Sequence, residues 1–174
     1  MTLSHCLFET IFGWMSLQKD ETGLIKSTIP VESRDICIKK ISESEKPTVL
    51  DNLEFKYLIE RIQTYLSGSS DDFKDISVSL GRNGTFFEKS WIACRKVPEG
   101  ETRSYSWLAD QVGNRKATRA AGQAMANNPL PIIIPCHRII GKSGNLIGYG
   151  KGSKHIFLKK KLIEIEKTPL TLKH

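Results

Sequence analysis

Three β-branched residues in a row, Ile132-Ile133-Ile134, run straight into Pro135 and then Cys136-His137-Arg138. No other stretch of the chain restricts the backbone so tightly. Isoleucine is stiff at χ1 and favours extended backbone. Proline fixes its own φ and keeps the residue before it out of the helical region. The segment is therefore predicted to be an apolar extended run that bends at Pro135. Adjacent strand residues face opposite ways, so Cys136 and His137 can cooperate only if the chain turns there. Cysteine attacks as its thiolate, and a free thiol of pKa about 8.5 is little ionised at neutral pH. A neighbouring base or cation raises that fraction, and apolar walls shield the sulfur. Cys136 is the first candidate nucleophile; on these residues alone, a cysteine that merely fills a core stays open.

The chain has 174 residues, enough for one good core or two small ones. Its 39% apolar and 26% charged content is ordinary for a soluble globular protein. No apolar run nears the roughly 20 residues of a membrane span. The N-terminus has no basic stretch before an apolar one, so no secretory leader is expected. Cys6, Cys37, Cys94 and Cys136 form no CxxC pair, which gives little support to a zinc site or disulfide framework. A reducing, cytoplasmic setting is expected, or a nuclear one in a eukaryote. Charge is uneven: residues 1–80 carry nine Lys and Arg against thirteen Asp and Glu, and residues 81–174 carry seventeen against six. A basic second half suits a polyanionic partner, and a solvated basic face is the alternative.

The pattern predicts an α+β chain. A small N-terminal α/β domain, residues 1–80, has a short sheet and a helix; a mostly helical C-terminal domain covers 81–174. Strands are expected near 6–14, 23–28 and 36–41. Leu53, Tyr57, Leu58, Ile62 and Leu66 recur at helical spacing, predicting a helix over 51–67 capped by Asp51. Ser67 to Asp72 has linker composition. Thr85 with Glu88 forms a capping-box pattern for a helix to about Lys96, with Phe87, Trp91 and Ile92, and Cys94 or Arg95 one turn on, on its buried side. Ser104 caps a short helix from Tyr105 to Val112, Gly113-Asn114 turns, and a second helix runs from about Arg115 to Ala126.

Helix, short glycine-containing turn and helix is the helix-turn-helix signature. The second helix is built of small residues, Ala117, Ala120, Ala121, Gly122, Ala124 and Ala126, around Arg119. Close packing on another helix uses the same residues. Arg119, with Arg115 and Lys116 at the helix start, favours DNA. A flat face with one long cation suits the minor groove, which carries little sequence information.

Taken together, these motifs resemble the O6-alkylguanine-DNA alkyltransferases. The resemblance rests on Pro135-Cys136-His137-Arg138 and on Gly100-Glu101-Thr102-Arg103-Ser104-Tyr105. Arg119-Ala120, Asn127-Asn128-Pro129-Leu130-Pro131, Gly148-Tyr149-Gly150 and Leu162-Ile163-Glu164-Ile165-Glu166 add to it. It covers roughly residues 84–167; the first 80 match loosely, through Phe8, Thr10, Gly13 and Gly23-Leu24.

The resemblance implies stoichiometric transfer of an alkyl group from O6-alkylguanine, mainly O6-methylguanine, in duplex DNA to Cys136 after base flipping. His137, through a water, and Glu166 are implied to activate the thiol, and Tyr105 to protonate the leaving base at N3. Arg119, Arg115, Lys116, Ala120, Gly122, Arg138 and Ser104 are the expected DNA contacts. Tyr105, Pro131, Ile139, Tyr149, Gly150 and Lys151 are the expected substrate pocket, and Asn128 ties the turn near the cysteine to the helices. Lys151 stands where a small residue is common and is expected to narrow the pocket or add a phosphate contact. Glu99 stands where an aromatic is usual, which touches packing.

Some family members hold zinc in the N-terminal domain; His5, Cys6, Cys37 and Cys94 do not supply that pattern, so no metal and no cofactor are expected. The implied partner is damaged duplex DNA, bound by a monomer with no membrane and no obligate protein partner. The basic run Lys159-Lys160-Lys161, Lys167 and Lys173 fits DNA contact. The alternatives are a non-catalytic lesion-binding module of the alkyltransferase-like type and a thiol redox protein using Cys94.

Overall fold

A computed structural model describes residues 3–42, 47–81 and 83–167. The chain divides into two compact units that meet between Ser79 and Leu80. Among the described residues no helix is long and apolar enough to cross a membrane.

The first unit is a mixed sheet with helices. Strands β1 (Leu3–Thr10), β2 (Gly13–Asp20), β3 (Gly23–Ser27) and β4 (Thr48–Leu50) lie in the order β3-β2-β1-β4. The first three form an antiparallel meander, and β4 adds to β1 in parallel. The strand expected over 6–14 is two strands: the chain reverses after Thr10, whose hydroxyl donates to Gly13 O and accepts from Phe12 N.

The strand expected at 36–41 is instead a helix, α1 (Arg34–Ser42). Cys37 and Ile41, four residues apart, are its buried residues and pack with Leu7. Ile38 points to solvent, so the stripe that wins is helical rather than alternating. Helix α2 (Lys56–Leu66) starts later than expected. Asp51 caps a preceding turn through Glu54 N, leaving Leu53 and Tyr57 exposed and Leu58, Ile62, Tyr65 and Leu66 in the core.

The second unit carries α3 (Phe86–Arg95), α4 (Tyr105–Gln111), α5 (Thr118–Ala126) and α6 (Ile156–Lys167). The capping box at α3 is present in both directions, between Thr85 and Glu88. Its buried side differs in part from expectation: Cys94 is buried as expected, Ser90 and Ala93 face inward with it, and Ile92 is half exposed. Ser104 caps α4 by accepting from Trp107 N. The second expected helix begins at Thr118, so Arg115 and Lys116 lie in the connection before it. Two short parallel strands, β5 (Arg103–Ser104) and β6 (Ile139–Ile140), join the start of α4 to the segment after Cys136.

Candidate active site

Ile132–Ile134 does not form a strand. Ile132 adopts a left-handed φ of 77°, unusual for a β-branched residue, and the run folds back so that Pro131 bridges Ile134. Asn128 holds this double turn together. Its Oδ1 accepts from Leu130 N at 2.9 Å, and its Nδ2 donates to Ile134 O at 2.9 Å. The chain then enters a 3-10 turn, Cys136–Arg138. Successive side chains of a 3-10 turn point about 120° apart rather than oppositely; Cys136 meets Asn128, while His137 and Arg138 both reach Glu166.

Cys136 lies at a cavity of about 600 Å³, also lined by Tyr105, Arg119, Gly122, Tyr149, Gly150 and Lys159. Burial pushes the Cys136 thiol above its ordinary value; the Asn128 amide, donating to Sγ at 3.0 Å, and the nearby Lys159 ammonium pull it back in part. His137 is fully buried, and its Nε2 meets Glu166 Oε1 at 2.8 Å. Burial holds the imidazole below its ordinary value, so it is neutral at neutral pH. Burial alone would raise the Glu166 carboxyl. The contacts from His137 and Arg138 outweigh it and hold the group well below the carboxylate range. The Tyr149 ring stands edge-on to His137, with centroids 6.4 Å apart.

Other expected residues are placed differently. Arg138 does not reach outward: it is buried, with Nη2 at 2.7 Å from Glu166 Oε1 and Nη1 at 2.7 Å from Val97 O. The need to satisfy a buried carboxylate shared with His137 overrides its expected DNA contact. Pro131 and Ile139 are buried behind the cavity wall, and exposed Lys151 lies off it. Arg119 and Gly122 line the cavity from α5, while exposed Arg115 pairs at 3.5 Å with Asp110. Lys173 lies outside the described residues.

Lys159, expected among the DNA-contacting lysines, is instead buried at the cavity, a place in the site that sequence reasoning missed. It is 1% exposed, and its Nζ donates to Ile139 O at 2.6 Å, to Gly148 O at 3.2 Å and to Tyr105 Oη at 3.4 Å. Burial pulls its pKa down to about 8. Tyr105 donates in turn to Ile147 O at 3.0 Å, and burial pushes its hydroxyl up to about 12. A signal existed: Lys159, Leu162 and Glu166 are three and four residues apart, one stripe of α6, and all three are buried. The visible run of three lysines hid it.

This geometry is a buried thiol with an amide donor, a neutral imidazole oriented by a carboxylate, and an open cavity beside a short helix pair. Known proteins resemble the chain in sequence and in overall fold. Residues 85–168 fit the family model described as the 6-O-methylguanine DNA methyltransferase, DNA binding domain. A methylated-DNA–protein-cysteine methyltransferase of Methanosarcina acetivorans is 37% identical over 164 residues, covering 93% of this chain and 97% of that one. The constitutive enzyme of that name from Bacillus subtilis is 45% identical over 160 residues, covering 91% and 92%. The crystal structure of Mycobacterium tuberculosis O6-methylguanine methyltransferase superposes with a TM-score of 0.74 at 30% identity, over 98% of this chain and 96% of that one. Mycobacterium tuberculosis OGT in complex with DNA gives 0.74 at 31% identity over 96% of each. The chain belongs to the methylated-DNA–protein-cysteine methyltransferase family.

Proposed function

We propose that this protein repairs alkylated DNA by direct reversal, moving the alkyl group of O6-alkylguanine onto Cys136 in one irreversible step per molecule. Helices α4 and α5 act as a helix-turn-helix entering the minor groove. The target base leaves the stack for the cavity, because O6 is out of reach inside a duplex. Arg119, at the cavity mouth, fills the space the base vacates. The small side chains of Ala120 and Gly122 let the helix approach, and Arg115, Lys116 and the Ser104 end of α4 contact the backbone.

In the chemical step the Cys136 thiol gives its proton to His137, through a bridging water as in the family. The sulfur attacks the alkyl carbon, the carbon–O6 bond breaks, and its electrons pass to the guanine. Tyr105 donates a proton to N3 of the departing base, and Lys159 beside it stabilises the oxygen it leaves behind. Glu166 keeps the imidazole aimed and stabilises its cationic form. Asn128 and Lys159 favour the thiolate, and Tyr149 and Gly150 line the alkyl pocket. No cofactor enters a single displacement of this kind. The protein works as a monomer on duplex DNA in the cytoplasm, or in the nucleus of a eukaryote.

One observation carries this reading: Cys136 Sγ accepts a hydrogen bond from Asn128 at the wall of a cavity of about 600 Å³ that Arg119 also lines. Intact-protein mass after incubation with duplex containing O6-methylguanine tests it. A single added methyl, mapped to Cys136 and saturating at one per molecule, is the expected result. Binding without mass change would replace it with the lesion-binding module.

A further inference from the structure

The Arg138 guanidinium is committed to Glu166. Its Nε lies 3.0 and 3.1 Å from the two carboxylate oxygens, and its Nη2 lies 2.7 Å from Oε1. The remaining arm, Nη1, is spent on Val97 O, at the end of α3. The same Oε1 receives His137 Nε2. The three side chains are 4%, 2% and 0% exposed, so water screens none of them.

Charge in such a place must be compensated locally. Arg138 and Glu166 together are neutral, which leaves no call for a cation on His137. Without the guanidinium, Glu166 would be a lone buried anion. The nearest way to cancel it is to protonate the imidazole beside it, and an imidazolium has no room for another proton. We infer that Arg138 is a positioning residue for alkyl transfer: acting through Glu166, it keeps His137 a neutral imidazole able to receive the Cys136 proton. This rests on the transfer reading above. In that step the S–H bond breaks and an N–H bond forms on His137, so the cluster's total charge is unchanged while its parts become thiolate and imidazolium.

Other groups face the same cluster. Lys159 reaches it from α6, Cys94 from α3, Tyr105 from α4 and Tyr149 from the cavity loop. Burial keeps Cys94 and Tyr105 in their neutral forms at neutral pH. Lys159 adds a second positive charge in the same sense as Arg138, disfavouring an imidazolium. The two cations differ in geometry. Of the two, Arg138 touches the carboxylate that touches the ring, so its loss takes His137's immediate partner pair from neutral to a net negative charge.

The test is a nitrogen-15 NMR titration of the His137 ring in the full-length protein, beside the pH dependence of single-turnover methyl transfer. Wild type is expected to show a neutral ring at pH 7. In Arg138→Met the ring should become cationic at neutral pH, and the acid limb of the transfer profile should move up by about one unit, a tenfold loss at a fixed acidic pH. Arg138→Lys should move both back toward wild type. A cationic wild-type ring at pH 7, or a folded Arg138→Met with both titrations unmoved, overturns the inference. Should Arg138→Met fail to fold, Arg138→Gln keeps donors without charge and must show the same rise. The two readings fail separately. A wild type that takes up no methyl while the ring responds to Arg138 refutes the transfer reading, and a wild type that takes up methyl with an unresponsive ring refutes only this inference.

Discussion

Asn128 Nδ2 bonds two acceptors at once, Ile134 O at 2.9 Å and Cys136 Sγ at 3.0 Å. One amide group therefore fastens the backbone turn and stabilises the thiolate. Asn128→Ala removes both. Ile134 O keeps Cys136 N as a donor at 2.7 Å, so losing the Asn128 bond costs about 0.5–1.5 kcal/mol of stability. The Cys136 thiol rises further, so transfer at pH 7 slows and recovers in part as pH is raised. Denaturant midpoints and single-turnover rates against pH check the two effects; a rate loss with no recovery at higher pH would assign Asn128 to the backbone alone.

Cys136→Ala removes the nucleophile from an already formed cavity without touching α5. Transfer should vanish while affinity for duplex containing O6-methylguanine stays within about threefold, well under 1 kcal/mol. Mass spectrometry and a binding titration on one preparation decide it. Any methyl acquired elsewhere on the variant would dislodge Cys136 as the acceptor.

Arg119→Ala separates base extrusion from chemistry. Unstacking a base costs a few kcal/mol, so losing the residue that replaces it should slow transfer from duplex by about 100-fold, or 2.7 kcal/mol. Transfer from free O6-benzylguanine, which needs no extrusion, should fall by no more than about threefold. Equal losses on both substrates would place Arg119 in the chemical step.

Stability should fall in acid and rise in mild alkali. His137 is held below its ordinary 6.5, so below that pH the unfolded chain binds a proton the folded one refuses, and stability drops. Glu166 is held below its ordinary 4.5 and adds a second loss beneath that value. Lys159 is held at about 8 against an ordinary 10.5, so its contribution to stability rises as pH climbs from 8, until the raised Cys136, Cys94 and Tyr105 groups oppose it above about 9. Urea midpoints from acid to alkaline pH, with Lys159→Met as the control that should lose the alkaline rise, check the signs.

Lys151 is exposed and stands outside the cavity wall. Lys151→Gly should leave single-turnover methyl transfer within about twofold, while a phosphate contact would show as one unit less in the salt slope of DNA binding. A large gain in transfer would mean that the side chain does narrow the pocket.

How legible this was depends on whether local signals and tertiary demands agreed. The α3 capping box and the Ser104 cap were readable because both partners lie within three residues. Residues 34–42 were misread because their alternating isoleucines also suit a helix, and only packing of Cys37 and Ile41 against Leu7 decides between them. Arg138 was misassigned for a related reason. Nothing within its own segment reveals a carboxylate 28 residues away, and an arginine in a basic half reads as a phosphate contact. Cys136 was legible as a nucleophile from its own segment, and the roles of His137 and Glu166 came by resemblance; the 3-10 turn that sets the directions of Cys136, His137 and Arg138 lies in no residue pattern of the segment itself.

The left-handed turn at Ile132 has a further consequence. A run of three isoleucines favours extended, pairing backbone, and Pro131 and Pro135 close this one on both sides. Here the turn denies it an extended form, and all three side chains are at most 2% exposed, so the folded protein offers no such strand for pairing. The same segment is set free whenever the second unit opens, and extended backbone is then its preferred state. Loss of the fold in acid thus bares the apolar run together with the nucleophile, and the two prolines, which cannot donate to a ladder, keep the exposed strand to three residues.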